Sequence, residues 1–310
     1  MGEIDISWQT LRRIVQDWAG TAAELSEFVP LHGGQINTTL ELHLKNCDRP
    51  KAVIKVSQHR VDKSYEREAY QLTLLKNLGI PVPEVYAWKI GSLEDPVSYM
   101  LLEHIEGTDL GHAKQQCSPE EFETLQHQLA DHVATMHDQT NAKYMRVMSG
   151  GETFESWPKF YRHVYDAIWH ETEKDPHLTK HVRKQIAKVH EKLDRFIGHA
   201  DKPRLVHFDL WNTNVMCRRD SDGTWKIAAL LDPNCKYAHS EAEIAYLELF
   251  HTCTPTFMKA YQQRHKLPAE YHRWRKPIYQ LYPLINHVRL FGPEYVKPLA
   301  AAVEKTEALV

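Results

Sequence analysis

The chain has 310 residues, 42% hydrophobic and 25% charged, enough for one large or two ordinary domains with real cores and too apolar for a disordered segment. A formal net charge of −3 speaks against nucleic acid as a principal partner, because phosphate-backbone binders carry a basic excess. No apolar run nears the roughly 18 residues of a membrane span, no basic-then-apolar signal opens the chain, and five scattered cysteines without a CxxC fit reduced thiols, so a cytoplasmic protein is expected.

An amphipathic helix is predicted after Ser7, with Leu11, Ile14 and Val15 on one face and a stop near Gly20. Strand-like runs follow at 26–31, 38–44 and 52–56, the second alternating Leu40, Leu42 and Leu44 with polar neighbours. A helix over 62–78 ends at Gly79, and two more strands are expected over 82–88 and 97–104. Beyond His104 the pattern turns helical. Ser118-Pro119-Glu120-Glu121 supplies a cap, a first-turn proline and a reaching-back glutamate. Further helices are predicted at 156–172, 178–197, 240–250, 255–265, 270–290 and 293–308, with short strands at 204–206, 213–217 and 226–231. The fold class expected is α+β, a β-rich lobe over 1–104 and a mainly helical lobe over 105–310.

The strongest chemical signal is His207-Phe208-Asp209-Leu210-Trp211-Asn212-Thr213-Asn214, followed by Leu230-Leu231-Asp232-Pro233. Phosphoryl transfer asks for a carboxylate that orients the attacking hydroxyl and takes its proton, and for magnesium held against the triphosphate. The kinase pattern H-x-D-L-x-x-x-N supplies these, with the metal-binding Asp on the next hairpin strand. Asp209 is thus the candidate base, and Asn214 and Asp232 are candidate Mg2+ ligands. Lys55 stands inside an apolar strand, where a lysine is costly unless paired. Glu68 shares a helical stripe with Leu72 and Leu75 and so faces inward as its partner, an ion pair that would engage the α/β-phosphates of ATP. Gly33-Gly34-Gln35-Ile36-Asn37 would pass over the phosphates, Gly33, Gly34 and Asn37 being the candidate contacts. Glu103 and Ile105 would present backbone groups to adenine.

These features, in this order, resemble the aminoglycoside phosphotransferase superfamily, of protein-kinase-like two-lobe fold. Gly79-Ile80-Pro81-Val82-Pro83 is similar to its G-x-P-v-P junction, and Ala134-Thr135-Met136-His137 to its L-x-x-L-H segment. The C-terminal half resembles fructosamine (ketosamine) kinases at 206–211, 232–243, 247–250, 281–287 and 290–292. The resemblance implies an ATP-dependent kinase acting on a sugar amine, with Trp211, Tyr237, His239, Glu241 and His287 as candidate acceptor contacts. It departs at Phe208, where those kinases usually carry glycine; the ring either joins the core, which burial favours, or walls the acceptor side. The loop 33–37 likewise follows the general phosphotransferase pattern rather than their glycine-richer, cysteine-containing loop.

Rival readings are an aminoglycoside-type or amino-alcohol phosphotransferase and a catalytically inactive kinase-like binding module. A polycationic acceptor wants an acidic cleft, yet the stretch from Lys236 onward holds seven Asp/Glu against ten Lys/Arg. The inactive module is disfavoured because Lys55, Glu68, Asp209, Asn214 and Asp232 are all present.

Overall fold

The computed structural model describes residues 6–31, 38–57, 63–199 and 202–309. In chain order they form α1 (Trp8–Ala19), β1 (Glu24–Pro30), β2 (Thr38–Lys45), β3 (Lys51–Ser57), α2 (Ser64–Asn77), β4 (Val85–Lys89), β5 (Ser98–Glu103), β6 (Thr108–Asp109) and α3 (Leu110–Gln116). Next come α4 (Pro119–Asp138), β7 (Tyr144–Arg146), β8 (Thr153–Phe154), α5 (Trp157–Thr172), α6 (Lys180–Glu191) and α7 (Leu193–Ile197). The remainder holds β9 (Arg204–Val206), β10 (Val215–Arg219), β11 (Trp225–Leu230), β12 (Lys236–Ala238), α8 (Ser240–Leu249), α9 (Pro255–Arg264), α10 (Lys276–Phe291) and α11 (Val296–Glu304). No helix among the described residues is long and apolar enough to cross a membrane.

Contacts divide the chain into two units, Met1–Ala113 with Val215–Pro233, and Lys114–Asn214 with Asn234–Val310. The sequence suggested one boundary at 104. The first unit runs further because β6 pairs with β10, Thr108 opposite Cys217 and Asp109 opposite Met216, which brings the β10–β11 hairpin into it.

In the first unit an antiparallel sheet runs in the order β1-β2-β3-β5-β4. Strand alternation sorts β3 into two faces. Ala52, Ile54 and Val56 join Leu40, Leu42 and Leu101 beneath Leu11, Ile14 and Val15 of α1. On the opposite side Val53 packs with Met100, Leu102 and the α2 residues Tyr65, Ala69 and Leu72. Each fully buried leucine or isoleucine here contributes about 1.5–3 kcal/mol relative to exposure. α1 is held at its start by the Ser7 hydroxyl, which accepts from the Thr10 N–H at 3.1 Å.

The second unit carries a sheet in the order β8-β7-β12-β9 among helices. α4 begins with the expected reciprocal cap: Ser118 Oγ accepts from the Glu121 N–H at 3.2 Å and Glu121 Oε2 from the Ser118 N–H at 2.8 Å. The helix predicted over 178–197 breaks at Lys192 into α6 and α7, and that over 270–290 opens with a π turn, Tyr271–Arg275, before α10. α8 is the centre of the unit: Glu241 through Leu247 are all buried. A helix buried on every side must give each polar residue a partner. For Glu241 that partner is Arg275, whose Nε and Nη2 each donate to a carboxylate oxygen at 2.6 Å.

Burial works against the Glu241 charge, but hydrogen bonds from His199 and Arg275 hold its carboxyl down at about 2. A depressed carboxyl contributes stability above its unfolded value and loses it as pH falls through the folded one. Between pH 4.5 and 2 this residue should account for a loss of about 3 kcal/mol in unfolding free energy. Denaturant unfolding across that range should show the loss in the parent and a flatter profile in Glu241→Gln.

Candidate active site

β3 places Lys55 on the α2 side of its sheet, and α2 turns Glu68 toward it from the turn of Ala69 and Leu72. Lys55 Nζ donates to Glu68 Oε1 at 2.6 Å and also to Asp232 Oδ1. Burial alone would push the ammonium down, yet the two carboxylates raise it well above the ordinary lysine value, so it stays charged. Burial also pushes the Glu68 carboxyl up, Asp232 adding to the effect and Lys55 opposing it. Asp232 follows β11 with φ 54°, a left-handed backbone that Asp tolerates better than most residues. Its side chain is nearly half exposed, 46%.

In the second unit the loop from His207 to Asn214 is gripped at successive atoms. The Phe208 N–H donates to Glu243 Oε1 at 2.7 Å. Glu243 Oε2 accepts from His137 Nε2 at 2.7 Å, and the Tyr261 hydroxyl lies 2.7 Å from His137 Nδ1. His137 and Glu243 are both fully buried. Burial opposes the Glu243 charge, but His137 and the Phe208 N–H hold the carboxyl below its ordinary range. One residue on, Asp209 Oδ1 accepts from the Tyr246 hydroxyl at 2.7 Å, and its backbone carbonyl accepts from Asn214 Nδ2 at 2.8 Å. Turning Nδ2 to that carbonyl presents the Asn214 amide oxygen as the donor atom for a cation. That amide oxygen in the second unit and the Asp232 carboxylate in the first are each hard-oxygen donors, the chemistry Mg2+ prefers.

Phe208 is itself left-handed, φ 66°. Glycine takes that conformation freely, whereas a bulky L-residue is strained in it. The ring is half-buried against Tyr282, centroids 5.7 Å apart, and Lys236 Nζ sits 3.9 Å from its centroid. Lys236, 1% exposed, also donates to the Asn234 carbonyl at 2.9 Å. Phe208 thus packs into the second unit beside a buried cation.

The remaining candidates fall in varied places. Gly33, Gly34 and Asn37 lie outside the described residues. Glu103 ends β5, its N–H donating to the Glu84 carbonyl at 2.9 Å, and Ile105 is half-buried just beyond. Trp211 is half-buried, 6.5 Å from Phe250, and Tyr237 sits half-buried in β12 between β7 and β9. His239 is buried edge-on to His199, centroids 5.0 Å apart. Glu241, expected among the acceptor contacts, is instead buried in the Arg275 pair, because desolvation demands a cationic partner. His287 donates from Nδ1 to the Pro283 carbonyl at 2.7 Å and packs tilted or edge-on against Phe250, Phe291 and Tyr295, burial pushing its imidazole down.

Glu243, Tyr246 and Arg275 did not stand out in the sequence as site or support residues. The available signal was three polar side chains in the otherwise apolar run 241–247.

Solved structures with this architecture define the class, the kinase-like fold of the aminoglycoside phosphotransferases. The Haemophilus somnus 129PT protein assigned as a fructosamine-3-kinase superposes with a TM-score of 0.73 at 22% identity, covering 97% of each chain. Aminoglycoside phosphotransferase APH(4)-Ia, solved with AMP-PNP and hygromycin B, gives 0.67 at 17% identity and 97% of each chain. Residues 7–308 match the fructosamine kinase family model, and the chain belongs to that family of ATP-dependent kinases. Among curated relatives, the Escherichia coli (strain K12) protein named probable ketoamine kinase YniA is 26% identical over 93% of this chain and 95% of its own. Probable ketoamine kinase VP1481 of Vibrio parahaemolyticus is 25% identical over 96% and 98%.

Phe208→Gly tests the packing. Relief of left-handed strain returns about 1–2 kcal/mol. The lost ring contacts and the cation–π contact with buried Lys236 outweigh it, for a net destabilisation of about 2 kcal/mol. Chemical denaturation should show that loss, while relative kcat/KM for two acceptors of different bulk stays the same.

Proposed function

We propose that the chain transfers the γ-phosphoryl group of ATP to a hydroxyl of a ketosamine, a sugar-amine adduct of the fructosamine or ribulosamine type, with Asp209 as general base. The observation that carries this reading is the Lys55 ammonium held between Glu68 and Asp232, the arrangement a kinase needs to fix a charged phosphate ligand. Lys55 stays protonated there and would donate to the α/β-phosphates, with Glu68 holding the ammonium in place. Asp232 and Asn214 would each serve as Mg2+ ligands, and the metal would supply charge neutralisation for the phosphates.

Asp209 would accept the acceptor O–H proton as the new oxygen–phosphorus bond forms and the bond to the departing ADP oxygen breaks. That proton later leaves to solvent. Glu103 and Ile105 would serve adenine, and the loop 33–37 the phosphates. Tyr237, half-buried in β12, is retained as a candidate acceptor contact, while His239 is buried and Trp211 and His287 pack against Phe250. The ketosamine acceptor is supported by the family match and by the names of the relatives. The excess of Lys/Arg over Asp/Glu beyond residue 236 weighs against a polycationic aminoglycoside. Coupled measurement of ADP release with fructosamines, ribulosamines, aminoglycosides and simple amino alcohols tests the acceptor, and turnover confined to the last two classes would overturn it.

Asp209→Asn should leave nucleotide binding nearly intact and lower kcat by roughly 10²–10⁴, the range for loss of a general base. A variant retaining more than half of parental turnover would remove Asp209 from that role. Asp232→Ala should abolish the magnesium-dependent part of nucleotide affinity, measured by calorimetry with and without the metal; unchanged Mg·ATP affinity would take Asp232 out of the site.

A further inference from the structure

α8 grips the catalytic loop twice with one face. Glu243 and Tyr246 stand three residues apart, neighbours on a helix surface. Glu243 takes the Phe208 N–H, and the Tyr246 hydroxyl donates to Asp209 Oδ1 at 2.7 Å. The first contact fixes backbone. The second reaches the reacting carboxylate itself.

Tyr246 is 8% exposed, and its ring packs against Phe250 with centroids 4.7 Å apart. Beside it Tyr161, Phe208, Ala242, Tyr279 and Tyr282 close around a cavity of only about 10 Å³, room for no more than one water. The ring therefore has nowhere to swing, and its hydroxyl is a fixed partner rather than one the acceptor displaces. Packing alone does not call for that hydroxyl: a phenylalanine fills the same space, and a phenol taken out of water is costly unless it is bonded. Asp209 is also held from the backbone side, since Asn214 Nδ2 donates to its carbonyl. Main chain and carboxylate are then both set before any acceptor arrives, the preorganisation on which orientation effects in catalysis depend.

We propose that Tyr246 is a positioning residue for phosphoryl transfer: its hydroxyl holds the Asp209 carboxylate through Oδ1 and so sets the orientation in which that carboxylate meets the acceptor. The inference rests on Asp209 being the general base. In the step so arranged, the acceptor O–H proton passes to the Asp209 carboxylate, the acceptor oxygen bonds the γ-phosphorus, and the bond from that phosphorus to the bridging oxygen breaks as ADP leaves. Tyr246 keeps its proton throughout.

The test is Tyr246→Phe in the full chain, assayed with ATP, Mg2+ and a fructosyl amine, alone and combined with Asp209→Asn. Because the ring stays, the melting temperature should hold. The expected result is a fall in kcat of about tenfold, the size of one hydrogen bond to a charged group, with KM for both substrates within about twofold. In the Asp209→Asn background the same substitution should cost nothing further, because its effect passes through that carboxylate. A kcat within about twofold of the parent, an equal loss in both backgrounds, or a parallel collapse of kcat, KM and melting temperature would each overturn the role. Asp209→Asn that retains turnover overturns the base assignment and this inference together, whereas an inactive Asp209→Asn with an unimpaired Tyr246→Phe overturns only Tyr246.

Discussion

The Glu243 carboxylate is the contact on which the second unit's chemistry depends. One oxygen receives the Phe208 N–H and the other His137, in surroundings without solvent. A buried charge is tolerated only when its lone pairs are engaged, so the carboxylate fixes α4, α8 and the loop of Asp209 against one another. Removing it would strand an imidazole and an amide in the core. Asn214 and Tyr246 complete what Glu243 begins. The loop is thus set by three bonds at three kinds of atom, an amide, a carbonyl and a carboxylate.

The first unit reaches a similar end by different means. Its sheet separates apolar and polar demands by strand alternation: even positions of β3 feed the α1 face, and Lys55 emerges on the other. α2 adds Glu68 by helical spacing from Leu72. Two periodicities, one of two residues and one near three and a half, meet at a single ammonium. Asp232 then arrives from a hairpin more than a hundred residues later in the chain.

That difference governs what the sequence reveals. Lys55 with Glu68, and Asp209 with Asn214, are legible because local geometry dictates them within 13 and 5 residues of chain. So are α1, α4 and the strands of the first sheet, whose apolar patterns are long and whose caps are explicit. β6, β7, β8 and β12 span two or three residues each, too few for any periodicity; β6, β7 and β12 exist because distant strands offer them partners, and β8 because β7 lies beside it. Glu243 is separated from His137 by 106 positions, and Glu241 from Arg275 by 34. Nothing near Glu241 announces an arginine, so a glutamate at a helix start reads as a solvated or ligand-facing group. Phe208 misleads in another way: its left-handed backbone explains a preference for glycine, while the compensating Lys236 is visible only in three dimensions.

The pairing of β6 with β10 has a consequence for how the polypeptide is made. Thr108 meets Cys217, 109 residues downstream, and the intervening stretch folds into the other unit. A ribosome that has delivered the whole five-stranded sheet has therefore not delivered the first unit. Asp232, a partner of Lys55, emerges only after most of the second unit's α4 to α7 has left the tunnel. Closing so long a loop costs chain entropy that grows slowly with length, but it must be met before the contacts repay it. Until then Lys55 has Glu68 but not Asp232. The nascent chain holds a finished sheet and an unfinished ion-pair cluster, and that cluster is completed late in synthesis.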